Sequence, residues 1–164
     1  MTRLLRFADR ANLAPCLASW RIGEEIAGAM AESGRYVLDT SAVLALRSNE
    51  VGAGRVEQLL RRARDGRAKI FLSFMTRMEL MYRIEVDEDE TAAINALRLL
   101  DAGPVEWVSC EAEILATAAR IKARGGLSVA DAWIAATAFS RDATLVHRDP
   151  EFARAGEVTQ ERLR

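Results

Sequence analysis

From residue 36 onward, short apolar runs alternate with longer stretches whose apolar positions recur at helical spacing, and this alternation does most to narrow the fold. Short buried runs between turn residues read as strands of a parallel sheet, and stretches of period 3.6 read as the helices that carry the chain back to the next strand. Tyr36-Val37-Leu38 is the first run, and Asp39-Thr40-Ser41 stands where a strand stops and a helix N-cap begins. Val51, Val56, Leu59, Leu60 and Ala63 then repeat at helical spacing as far as Asp65-Gly66, before Ile70-Phe71-Leu72 gives a second strand. A helix from about Thr76 to Ile84 follows, and the acidic stretch 87–90 opens another that runs through Leu100 to Gly103-Pro104. A third strand is predicted over 105–108, helices over about 111–122 and 129–139 on either side of Gly125-Gly126, and a fourth strand at Thr144-Leu145-Val146. A short last strand is expected near Val158. The pattern predicts an α/β fold, a three-layer α/β/α sandwich with a central, mostly parallel sheet of four to five strands. In such sheets ligands sit at the carboxyl ends of the strands.

A chain of 164 residues, half of them apolar, suffices for one domain with a sizeable core. Residues 1–34 do not fit the alternation. They read as a separate N-terminal extension, helical or disordered, with one amphipathic stretch near 20–30, ahead of a domain over 35–164. Met30 lies six residues before the first strand, so translation is expected to start there naturally, which would make the extension non-native. Arg21, Glu24 and Glu25 interrupt the most apolar part of the extension, so no membrane span is predicted. Asp9 and the lack of a continuous apolar segment argue against a secretory or transit peptide, and a cytoplasmic protein is expected. Cys16 and Cys110 read as plain thiols. One histidine and two scattered cysteines exclude a zinc-finger spacing and an H-E-x-x-H site. A net charge of −1 gives no bulk electrostatic case for nucleic acid. Arg61, Arg62, Arg64 and Arg67 form a basic cluster that could meet phosphate, but a solvated helix face is the commoner reason for a charge run.

Four acids stand out because they recur at strand ends or in first helical turns. Asp39 directly follows the first strand, where it reads as a metal ligand or as a helix N-cap. Glu79 lies one turn into the helix after the second strand, among apolar neighbours, with Arg83 four residues on as its ordinary surface partner. Asp131 forms a capping-box-like pair with Ser128, yet it enters a helix that is apolar nearly all round, where a carboxylate needs a partner. Asp149, before Pro150, follows the fourth strand and, taken alone, reads first as a turn starter. A parallel sheet would gather these acids on one edge. Two bare carboxylates about 4 Å apart repel by about 4 kcal/mol at an effective dielectric near 20, so such a cluster persists only if it is protonated or neutralised by cations.

The segments Val37-Leu38-Asp39-Thr40-Ser41-Ala42, the central Glu79, the stretch from Leu127 to Ala138 around Asp131, and Thr144-Leu145-Val146-His147-Arg148-Asp149-Pro150-Glu151-Phe152 occur in an order and spacing that resemble PIN-domain ribonucleases. Among these the chain is most similar to the toxins of VapBC toxin–antitoxin pairs. The resemblance runs from Tyr36 to about Leu163. It implies a PIN-like sandwich in which Asp39, Glu79, Asp131 and Asp149 are the catalytic quartet that binds Mg²⁺ or Mn²⁺, with Ser41 supporting the site through hydrogen bonds. It further implies an endoribonuclease acting on tRNA, rRNA or mRNA, a toxin of a type II toxin–antitoxin system, a VapB-type antitoxin as partner, and a homodimer. Arg47, Arg77, Arg83 and Arg148 are candidates for phosphate contacts. His147 occupies a place where a small hydroxyl residue is more usual and receives no role. Competing readings are a PIN nuclease of RNA processing or structured DNA, and a catalytically silent module that binds RNA or protein. A phosphotransfer receiver or phosphatase ranks last, because neither Lys69 nor Lys122 follows a later strand.

Overall fold

The structure, a computed structural model, describes residues 34–164. The expected extension, with its amphipathic stretch, Met30 and Cys16, lies outside the described residues, except for Gly34, which opens the first strand. Five strands form one sheet: β1 (Gly34–Leu38), β2 (Ala68–Ser73), β3 (Glu106–Val108), β4 (Thr144–His147) and β5 (Gln160–Arg162). Their order is β3-β2-β1-β4-β5, and every neighbouring pair is parallel. The last strand begins just beyond Val158, which is itself buried in the core.

Six helices connect the strands: α1 (Thr40–Ser48), α2 (Ala53–Arg64), α3 (Phe74–Asp87), α4 (Glu90–Asp101), α5 (Ala112–Ala123) and α6 (Val129–Ser140). A 3-10 turn, Pro150–Arg154, follows β4. Two helices differ from expectation. Helix α1 has apolar residues on almost every side, Ala42, Val43 and Ala45 among them, so no stripe marks its length even though Asp39 signals its start. Helix α3 begins two residues ahead of Thr76, because Ser73 caps it by accepting from the Met75 N–H at 3.3 Å.

Side chains alternate across each strand and feed two cores. Val37, Phe71, Val108 and Leu145 pack with α5 and α6 on one face. Leu38, Ile70, Leu72 and Val146 pack with α1 to α4 on the other. This is the period-two pattern of a sheet covered on both sides. From β1 the chain steps outward through β2 to β3 and then returns to β4 on the other side of β1. The carboxyl ends of β1 and β4 therefore flank the topological switch point, where open α/β sheets form their ligand crevice.

Helix α6 lies close to the sheet because its inward positions are small: Ala132, Ala135, Ala136 and Ala138 are each no more than 1% exposed. Ala136→Leu is expected to destabilise the fold by about 1–3 kcal/mol through overpacking, read as a lower denaturation midpoint at unchanged slope. Helix α2 runs back toward the amino edge of the sheet, carrying Arg61, Arg62 and Arg64 in its last turn. Arg61 pairs with Glu57 and Arg67 with Asp65. That arginine run is a solvated face at the edge away from the strand-end acids. Among the described residues no helix is long and apolar enough to cross a membrane, and Cys110 is an exposed free thiol.

Candidate functional site

Asp39 leaves β1 with an extended backbone and caps α1, its carboxylate buried. Its Oδ2 accepts from the Ser41 backbone N–H at 3.0 Å and from the Ser41 hydroxyl at 2.5 Å. Ser41 Oγ in turn accepts from the Arg148 backbone N–H at 3.0 Å. A single hydroxyl thus ties the acid at the end of β1 to the segment leaving β4. The capping reading and the site reading of Asp39 are therefore compatible, since the geometry that caps the helix also fixes the carboxylate at the switch point.

Glu79 projects from the second turn of α3 and is half-buried. Its Oε2 accepts from the Thr40 hydroxyl at 2.5 Å, which joins α3 to the first turn of α1. Sequence reasoning missed Thr40 as a site residue. The signal for it is a hydroxyl placed directly after the strand-end acid, but the turn reading absorbs that signal. Asp131 sits at the third position of α6 in a complete capping box: its backbone N–H donates to Ser128 Oγ at 3.0 Å, and its Oδ2 accepts from the Ser128 N–H at 3.2 Å.

Electrostatics show which acids share a field. Burial raises the Asp39 carboxyl above its ordinary value of 3.8; the Ser41 hydroxyl and N–H pull it back, and the negative charge of Asp131 raises it further. Burial likewise raises Glu79 above 4.5, the Thr40 hydrogen bond opposes this, Asp39 and Asp131 add to it, and Arg83 lowers it. Asp39 and Glu79 therefore both lie in the negative field of Asp131, and Glu79 in that of Asp39 as well. Asp149 follows the neighbouring strand β4. It is the N-cap of the 3-10 turn, accepting from the Glu151 N–H at 2.8 Å.

Of the four arginines considered for phosphate, three are engaged with acids. Arg47 holds both carboxylate oxygens of Glu88 at 2.8 and 3.0 Å. Arg77 pairs with Asp101 at 2.5 Å while stacking over Trp107, and Arg148 pairs with Glu50. Arg83 is the one whose charge acts on the acidic group.

Among the described residues no group of three or more His, Cys, Asp or Glu side chains forms a ready-made metal cage. The donors nonetheless suit a hard cation, being carboxylate oxygens whose mutual repulsion and burial both work against their charged forms. Two buried residues at the same edge of the sheet, Thr76 and His147, also carry side-chain polar atoms with no hydrogen-bond partner in the protein. Mg²⁺ binds through few carboxylates and retains several waters, so it does not require a closed protein cage.

Comparison with known proteins places this geometry in a family. The family model described as PIN domain matches residues 36–158. No curated protein gives a significant match. Among solved structures, a chain of VapBC-1 from nontypeable Haemophilus influenzae is 26% identical over 78% of this chain and 97% of its own length, with a TM-score of 0.62. A chain of VapBC2 from Rickettsia felis, bound to a promoter DNA fragment, is 20% identical over 79% and 99%, with a TM-score of 0.64. VapC20 from Mycobacterium tuberculosis, described as a Sarcin-Ricin loop cleaving toxin, is 18% identical over 76% and 98%, with a TM-score of 0.60. With the family model spanning three quarters of its length, the chain belongs to the PIN-domain family.

Proposed function

We propose that this protein is a metal-dependent endoribonuclease and the toxin of a type II toxin–antitoxin pair, active in the cytoplasm. The observation that carries the reading is the buried Asp39 at the carboxyl end of β1, held by Ser41, with Glu79 tied through Thr40 to the same turn and Asp131 in the first turn of α6. Its likeness to a toxin described as cleaving the Sarcin-Ricin loop supports RNA as substrate, and its likeness to chains of VapBC complexes supports an antitoxin partner.

In this reading Asp39, Glu79, Asp131 and Asp149 would hold Mg²⁺ or Mn²⁺, Asp149 from the end of β4. When bound, the cation supplies an acidified water and a counter-charge for the leaving oxygen. The protein orients and neutralises. Ser41 fixes the Asp39 carboxylate, Thr40 fixes Glu79, and Arg83 offers a positive charge to a phosphate approaching α3. Alongside Glu79 and Arg83, the same helix exposes Met78, Met81 and Tyr82. An apolar, methionine-rich border of this kind suits the docking of an antitoxin segment. Association into a homodimer belongs to the same proposal.

The test is cleavage of bacterial RNA by the purified full-length chain in Mg²⁺, in Mn²⁺ and in excess EDTA. Cutting that appears with metal and stops with the chelator is the expected result. The competing reading is a silent module that binds RNA without cutting it. No cutting in either metal, from protein that melts cooperatively, would establish that reading instead.

A further inference from the structure

His147 is the one histidine of the chain. It ends β4 and is 2% exposed. Its ring packs edge-on against Phe152, with centroids 4.9 Å apart. Neither ring nitrogen has a hydrogen-bond partner in the protein. An imidazole always carries at least one N–H donor, and a buried donor left unsatisfied is costly, so a residue of this kind calls for a partner outside the protein.

The register brings His147 toward Asp39. Leu38 of β1 lies opposite Val146 of β4, and the Asp39 N–H donates to the Val146 carbonyl at 3.0 Å. Val37 and Leu145 face the α5–α6 layer, while Leu38 and Val146 face the other. The next pair, Asp39 and His147, therefore returns to the α5–α6 face side by side. The contact of His147 with Phe152, a member of that core, agrees. The backbone N–H of Arg148, the very next residue, is fastened through Ser41 to the Asp39 carboxylate.

We propose that His147 is a positioning residue for the acidic site, holding through one ring nitrogen a water shared with the Asp39 carboxylate and the cation it binds. The inference rests on the metal-dependent reading above. The orienting partners of metal-binding carboxylates tune affinity through such second contacts, and losing one typically weakens binding about 10- to 100-fold. Phe keeps the ring shape and removes both nitrogens, whereas Gln keeps a hydrogen-bonding head at similar reach.

Mn²⁺ binding to the untagged full-length protein, read by electron paramagnetic resonance of the free ion, separates the outcomes without reference to activity. His147→Phe is expected to bind Mn²⁺ at least about tenfold more weakly while melting no lower than wild type without metal. His147→Gln is expected to stay within about threefold of wild type, because it retains the hydrogen bond. His147→Phe that binds like wild type, or His147→Gln that is as weak as His147→Phe, would reduce the residue to core packing. Wild-type protein that melts cooperatively yet binds no Mn²⁺ would overturn the metal-dependent reading, and this inference with it. The ring-nitrogen resonances of the single histidine give a second readout that needs no variant. They should move on titration with Mg²⁺, and resonances that stay fixed while Mg²⁺ binds would overturn the proposal.

Discussion

Asp39→Asn is expected to slow metal-dependent RNA cleavage by at least about 10³-fold, or about 4 kcal/mol of transition-state stabilisation, without loss of the fold. Asparagine has nearly the same shape and keeps an oxygen that can accept from both Ser41 donors, so the cap of α1 survives. What it loses is the charge. Without a cation that charge is unfavourable, since burial and Asp131 both oppose ionisation of Asp39. The variant should therefore melt no lower than wild type in EDTA and still fail to cut. Single-turnover cleavage beside a melting curve is the measurement, and a variant that cuts like wild type would remove Asp39 from the chemistry. Asp149→Asn should cost less, about tenfold, because the Asp149 carboxylate is already engaged as the cap of its own turn. Equal losses at the two positions would mean that Asp149 bears on the metal as directly as Asp39.

The frame of the fold was readable because each strand is a short apolar run and each return helix begins or ends on a turn residue. Alternation at Val37 and Leu38, and again at Leu145 and Val146, specifies a sheet covered on both faces. Less was readable where apolarity is continuous. Nothing in Thr40–Ser48 separates a helix from a loop packed against the sheet, and Phe74-Met75 could extend either β2 or α3. Strand order was beyond reach, because the return from β3 to β4 is a long-range choice that local pattern does not encode. The acids could be named from their positions after strands, yet their grouping could not. Sequence gives four candidates, whereas the fold puts Asp39 and Glu79 in the negative field of Asp131. Thr40 and His147 escaped for a related reason. A hydroxyl in a turn and a single histidine acquire meaning only when their burial and their hydrogen-bond partners are known.

The thermal stability of the protein should depend on pH in opposite senses with and without metal. In the metal-free protein the carboxyls of Asp39 and Glu79 lie above their ordinary values of 3.8 and 4.5. Between those values and the raised ones, the folded state binds more protons than the unfolded state, so stability falls as pH rises through the window. A bound cation favours the ionised carboxylates and binds only after protons leave, which reverses the sign. At free Mg²⁺ or Mn²⁺ about 100 times its dissociation constant the gain is about 2.7 kcal/mol, or roughly 5–10 °C for a domain of this size. The metal-induced rise in melting temperature should accordingly grow as pH climbs from the ordinary carboxylate range through the raised values and largely vanish in Asp39→Asn. Glu161, held below its ordinary range by its hydrogen bond to Arg55 in the half-exposed Arg55–Glu161 pair, contributes in the contrary direction. Because that pair is untouched by the substitution, its contribution cancels when wild type and Asp39→Asn are compared at each pH. A metal shift of equal size in both proteins would place the cation somewhere other than Asp39. A shift indifferent to pH would show that the carboxylates are already ionised before the cation arrives, contrary to the burial and mutual repulsion that raise them.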